Sequence, residues 1–155
     1  MADSMIDSFA NLIPGFGSYR SEQKRRDDDV AARSYLVGRL QDCKRDLQAL
    51  ATQLLDSGNF HAITQAEKLR SSIELAQSKI RAAVEGYSSW FESSKVDETK
   101  LKKVLELDND LVAVVDKLQH EILRLSKDSF DTTSANEVVN HLKERFSRRA
   151  ELLAK

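Results

Sequence analysis

The sequence has one cysteine, one proline, five glycines and one tryptophan in 155 residues, and each scarcity closes off a class of protein. A single cysteine, Cys43, allows no internal disulfide and fits a reducing compartment. One proline, few glycines and 6% aromatic residues leave little material for sheet and turn structure. No apolar run approaches the roughly 20 residues that span a bilayer. The N-terminus has neither a basic region nor a continuous apolar stretch, so no secretory signal is expected. Neither sign of charge dominates: 24 Lys and Arg stand against 25 Asp and Glu. There is therefore no global field to attract nucleic acid or an anionic membrane.

Recognisable chemistry is missing too. His61, His120 and His141 are preceded, three residues earlier, by Gly58, Lys117 and Val138, so the Glu-x-x-His pairs of a di-iron bundle are absent. There is no H-E-x-x-H, no C-x-x-C and no cysteine–histidine metal spacing. GFGSYR (15–20) lacks the lysine of a phosphate-binding loop and any strand before it. No catalytic residue, cofactor or metal is expected.

What remains is good helix formers, and they specify an all-α protein. Residues 1–13 place Met1, Met5, Phe9 and Leu12 on one helical face with Ile6 and Ile13 beside them, and Asp3, Ser4, Asp7, Ser8 and Asn11 opposite. Pro14 ends that segment, and Gly15 and Gly17 flank Phe16 in a tight turn over 14–19. So short a helix needs a surface to lie on: its own bundle, a partner or a membrane. Its two aspartates and its lack of Lys or Arg before Arg20 count against the membrane.

Residues 20–155 read as the bundle proper. Ser18 caps a long helix that runs to Ser57 and stops at Gly58. Leu36, Leu40, Cys43, Leu47, Leu50 and Leu54 alternate spacings of four and three, a coiled-coil seam. The same phase carried back falls on Glu22, Arg26, Asp29 and Arg33, which are charged. Asn59 caps a second helix reaching about Ser93, with Leu69, Ile73, Ala76, Ile80, Ala83 and Tyr87 in its seam and Gly86 before the aromatic cluster Tyr87, Trp90 and Phe91. After a turn at 93–97, Asp97 caps a third helix whose seam is aliphatic except at Asp108. Ser134 and Glu137 form a capping box for a fourth, burying Val138 or Val139, Leu142, Phe146 and Leu153, with Lys143, Arg145, Arg148 and Arg149 on a solvated face.

Short connections make antiparallel neighbours. Folding the first hairpin about Gly58 brings Arg33 level with Val84, and folding a second near Lys95 brings Arg81 beside Asp108. Glu22, Asp29, Arg33, Arg81 and Asp108 are then expected to gather at the end of the bundle from which the 14–19 turn departs. Inward carboxylates must be paired, so an ionic network that fixes register is one reading, and a ligand pocket the other.

The run IPGFGSYRSEQKRRDDDVAAR (13–33), with RAAVEGYSSWF (81–91) and LELDNDL (105–111), resembles a bacterial family of small helical proteins in which a proline–glycine–aromatic turn leads into a tyrosine and a Glu, Arg, Asp, Arg helix. The matching positions are Pro14, Gly15, Tyr19, Glu22, Arg26, Asp29, Arg33, Arg81, Gly86, Tyr87 and Asp108, and Phe16 stands where tyrosine is commoner. The resemblance implies an all-helical fold and supplies no activity.

The sequence thus predicts an antiparallel four-helix bundle of long hairpins, cytoplasmic or peripheral at a membrane. Its expected role is that of a non-catalytic interaction or scaffold protein. Phe9, Leu12, Ile13, Phe16 and Tyr19 are the candidate anchors for a protein partner or for self-association. Insertion of residues 1–13 into a membrane is the first alternative. A ligand-binding or enzymatic bundle built on the polar cluster is the second.

Overall fold

The computed structural model describes residues 9, 11–83, 90–91 and 97–154. Four long helices carry the chain: α1 Arg25–Asp56, α2 Phe60–Arg81, α3 Glu98–Leu123 and α4 Thr133–Ala154, with a short 3-10 turn, Glu22–Lys24, before α1. There is no strand among the described residues. The expected α-helical bundle is what forms.

The predicted stop and caps hold at Gly58, Asn59 and Asp97, whereas Ser18 does not cap α1, which starts at Arg25. Gly58 ends α1 with φ 74°, a left-handed conformation open to glycine. Asn59 accepts the Ala62 N–H, and Asp97 accepts those of Thr99 and Lys100. At α4 the cap differs from the expected Ser134–Glu137 box. Asp131 accepts from the Thr133 amide and hydroxyl, and the helix begins at Thr133.

Each α1 seam residue from Leu36 to Leu54 is buried, Cys43 among them. Leu69, Ile73, Ala76 and Ile80 from α2, Leu111, Val115, Leu118 and Ile122 from α3, and Val139, Leu142, Phe146 and Leu153 from α4 join the same core. At about 25 cal/mol per Å2 this burial is the main favourable term of folding.

The neighbours are not all those expected. α1 packs on α2 and α3, and α4 packs on α2 and α3. Val37 meets Gln77 and Lys44 meets Glu74, so α1 and α2 are antiparallel at close to the expected register. Asp108 meets Arg149 and Asp110 meets Arg145, so α3 and α4 are antiparallel as well. Arg39 meets Asp116 and Asp46 meets Gln119, so α1 and α3 run parallel. α2 and α3 therefore sit across a diagonal. The reason is where α2 ends. It stops at Arg81, not near Ser93, so sixteen residues separate it in sequence from α3, and the short-connection rule does not apply. The guanidinium of Arg33 donates to the carbonyls of Ile80 and Arg81, meeting two of the acceptors a helix end leaves open. The expectations placed on residues 1–8, Val84, Gly86, Tyr87 and 93–96 lie outside the described residues.

Candidate functional site

The described N-terminal residues fold back over the end of the bundle where α1 starts. Ile13 N–H donates to Phe9 C=O, a last helical bond before Pro14 breaks the pattern. Gly15, Ser18 and Tyr19 then take left-handed φ values of 81°, 55° and 63°. Glycine adopts that region freely, whereas Ser18 and Tyr19 are held there by what surrounds them.

Asp28 is the clamp. Its Oδ1 accepts the Gly17 N–H and its Oδ2 the Tyr19 N–H, both at 3.0 Å. A Cβ on Gly17 would lie 3.0 Å from Asp28 Oδ2, so the clamp requires glycine at this close approach. Arg25 completes it. Its Nε donates to Tyr19 C=O at 2.9 Å, and its Nη1 to Trp90 C=O at 2.8 Å, with the guanidinium 5.3 Å from the Trp90 ring. Neither residue stands in the expected heptad phase. The burial carries back from Leu36 through Ala32, Asp29 and Arg25, closer to a straight helix's 3.6 period than to 3.5. Glu22 and Arg26, which the heptad phase would bury, are exposed, and Arg26 stacks over Phe91 at 4.7 Å.

This strap drives its aromatic residues inward. Phe9 packs on Phe16 and Tyr35, Phe16 on Tyr19, and Tyr19 on Trp90, with ring centroids 5.1–5.8 Å apart. Phe9, Phe16 and Tyr19 are buried, so three of the five candidate anchors serve the protein's own core. Ile13 is half-buried, and Leu12 is 43% exposed.

Beneath the strap lies a polar cluster that joins three helices. The Tyr19 hydroxyl donates to Asp108 Oδ2 on α3. Arg149 on α4 donates from Nε to Asp108 Oδ1 at 2.6 Å and from Nη2 to the Tyr19 oxygen at 3.0 Å. The same Nη2 lies 2.8 Å from Asp29 Oδ1 on α1. Asp29 Oδ2 in turn accepts from Arg33 Nε at 2.8 Å. Asp29, Asp108 and Arg149 are each no more than 1% exposed. Arg149 Nη1 has no hydrogen-bond partner, so even this network leaves a donor unmet.

Electrostatics follow from that burial. Desolvation raises the Tyr19 pKa well above the ordinary phenol range, and the charge of Asp108 adds to it. Burial raises the Asp108 carboxyl pKa, although Arg149 pulls it down. For Arg149, burial disfavours the cation, but Asp108, Tyr19 and Asp29 together outweigh it and hold the pKa well above the usual arginine range. The cluster thus sets two buried arginines against two buried carboxylates, with the Tyr19 hydroxyl donating to one of them.

Of the expected polar set, Asp29, Arg33 and Asp108 meet, and Glu22 and Arg81 do not. Arg81 is exposed and contributes only its carbonyl, because α2 is not the neighbour of α3. A groove of about 310 Å3 between α1 and α2 touches Arg33 and Arg81, but Tyr19, Asp29, Asp108 and Arg149 do not line it. Arg149 is the member that sequence reasoning missed. The signal was present: Leu142, Phe146, Arg149 and Leu153 keep spacings of four, three and four, so Arg149 occupies an inward position of α4 just as Asp108 does in α3. Gln77, fully buried, was missed likewise; it bonds Val37 C=O and Lys44 across the α1–α2 contact.

Among the described residues, no group of three or more His, Cys, Asp or Glu side chains is arranged to hold a metal ion. No described helix is long and apolar enough to cross a membrane. Comparison of the chain with models of known families, with curated proteins and with solved structures returned no match.

Proposed function

We propose that this is a non-catalytic helical interaction protein, acting in the cytoplasm, whose contact surface is the N-terminal segment together with the bundle end that holds it. One observation carries the reading. Three buried arginines, Arg25, Arg33 and Arg149, and three buried carboxylates, Asp28, Asp29 and Asp108, converge on one turn and the helix ends beneath it. Buried ion networks set geometry more dependably than they add stability. Here the geometry being set is that of the strap, with Phe9, Phe16 and Tyr19 packed beneath it. The groups that a catalytic reading would need are engaged: Tyr19 with Asp108, Asp108 with Arg149, and Asp29 with Arg149 and Arg33. With Phe9, Phe16 and Tyr19 turned inward, Leu12 becomes the anchor, beside the exposed Asn11, Pro14 and Gly15.

Light scattering coupled to size exclusion tests this on the full chain and on Leu12→Asp. The full chain is expected to assemble beyond its 17.5 kDa monomer, and the variant to shift toward monomer with unchanged helicity. Assembly untouched by the substitution overturns the choice of surface. A monomeric full chain that floats with anionic vesicles points instead to insertion of residues 1–13 into a membrane.

A further inference from the structure

The sequence between Ser18 and Lys24, SYRSEQK, reads as the start of a helix, yet the structure withholds helix from it. α1 begins only at Arg25; Glu22–Lys24 is a 3-10 turn, and neither Ser21 nor Lys24 makes a side-chain cap. Ser18 and Tyr19 are left-handed. What prevents the helix is the clamp of Asp28 and Arg25 on the strap backbone, together with contacts from far along the chain. Tyr19 is drawn down to Asp108 and Arg149, residues 89 and 130 positions away in sequence. Local preference and tertiary contact are opposed across one short exposed hinge.

That conflict has a resolution. If the strap lifts, α1 extends backward through the hinge as its sequence prefers, and Tyr19 is carried away from its own socket. The socket still requires a phenol whose hydroxyl donates to Asp108 and accepts from Arg149, set against Trp90. The group that fits is the strap of a second copy of this chain, because every contact of the closed form can be remade between copies. Exchange of an identical element is a low-cost route to a dimer, and a short hinge under strain favours it. We infer that the protein forms a strap-exchanged dimer in which each copy's Tyr19 seats on Asp108 and Arg149 of the other. This inference rests on the interaction reading above and names the partner as a second copy.

Glu22→Pro separates the closed and exchanged forms. Ser21 already sits at φ −87° and ψ 123°, the conformation that a following proline demands, and proline suits the first residue of a helical turn. The closed monomer therefore tolerates the change, while a helix continued through the hinge does not. The dimer dissociation constant, from sedimentation equilibrium, is expected to rise at least about tenfold with helicity retained. Trp90, the sole tryptophan, lies 5.1 Å from Tyr19 and reports on the socket. Tyr19→Ala protein supplies a socket without a phenol; a donor carrying Trp90→Phe and Arg149→Met supplies a strap without its own seat and no tryptophan signal. Refolded together, the pair should return Trp90 emission to the wild-type spectrum in a donor-dependent way. If Tyr19→Ala fails to fold by circular dichroism, Tyr19→Phe serves in its place. A dimer in which emission never recovers, or one that Glu22→Pro leaves unchanged, overturns exchange while leaving the interaction reading intact. Monomers at every concentration overturn exchange and self-association together, whereas a dimer weakened by Leu12→Asp but not by Glu22→Pro overturns exchange alone.

Discussion

Replacing Arg149 by methionine is the sharpest test of how the bundle end is held. The side chain keeps its apolar stem and much of its volume, so packing against Phe146 survives. What disappears is the guanidinium that meets Asp108 at 2.6 Å, Asp29 at 2.8 Å and the Tyr19 hydroxyl at 3.0 Å. Asp29 retains Arg33, and Asp108 retains only the phenol. Stranding a buried charge in this way costs about 3–5 kcal/mol. Against a total stability of roughly 5–15 kcal/mol that is a large fraction. For a chain of this size it corresponds to a fall of roughly 6–20 °C in Tm.

The loss should also depend on pH, and its sign follows from Asp108. Its carboxyl pKa is already raised by burial, with Arg149 pulling the other way. A raised carboxyl pKa contributes stability that is fully present below the unfolded value, near 3.9, and is lost as pH rises through the folded value. Without Arg149 that upward shift is opposed only by the Tyr19 hydroxyl, so the deficit of Arg149→Met is greatest near neutrality and narrows on acidification. Urea unfolding of both proteins, followed by circular dichroism at about pH 7 and about pH 4, measures it. A deficit under about 1 kcal/mol at pH 7, or one that does not change with pH, would refute the claim that the cluster is a desolvated, charge-compensated unit.

Further outcomes follow from other contacts. Tyr19→Phe keeps the ring but removes one hydrogen bond to a buried carboxylate and one to a buried guanidinium; a loss of about 2–3 kcal/mol in urea unfolding is expected. Gly17→Ala forces Asp28 off the strap, lowers stability by about 1–3 kcal/mol, and should speed amide exchange at Tyr19. Gly38→Ala, in mid-α1 with nothing within 4 Å of the added methyl, should raise stability by about 0.5–1 kcal/mol in the same assay. Cys43 is buried in the α1 seam and its thiol pKa is pushed up to about 12, so disulfide reagents at pH 8 should label it only as fast as the bundle opens.

The helices and most of their ends were legible because they rest on local chemistry. A period of 3.5–3.6 in apolar residues, a glycine at Gly58 and caps at Asn59 and Asp97 act over a few residues, and the chain obeys them. The inward carboxylates Asp29 and Asp108 were legible for the same reason, as breaks in an apolar pattern. The break at Arg149 was equally visible, but its neighbours Arg145 and Arg148 made it look like part of a solvated face. Less legible was anything decided by the choice among helix neighbours. Whether Asp108 faces Arg81 or Arg149 depends on whether α2 or α4 lies beside α3, which turns on α2 ending at Arg81. The strap was the hardest part. Residues 18–24 favour helix on their own, and contacts with Asp28 and Arg25 of α1 and with α3 and α4 overrule them.

The diagonal placement of α2 and α3 has a consequence for how the chain folds. It divides the protein into two helical hairpins, α1–α2 closed by three residues and α3–α4 by nine, each made of more local contacts than the pairing between them. The step that remains is docking one hairpin on the other. Asp29 pairs with Arg33 inside the first and Asp108 with Arg149 inside the second, so only the Asp29–Arg149 bridge waits until the two have met in register. Wrongly docked hairpins bury both pairs without that bridge. The network thus acts as a proofreading step in assembly, and Tyr19, closing over it, is in place only after the correct pairing has been made.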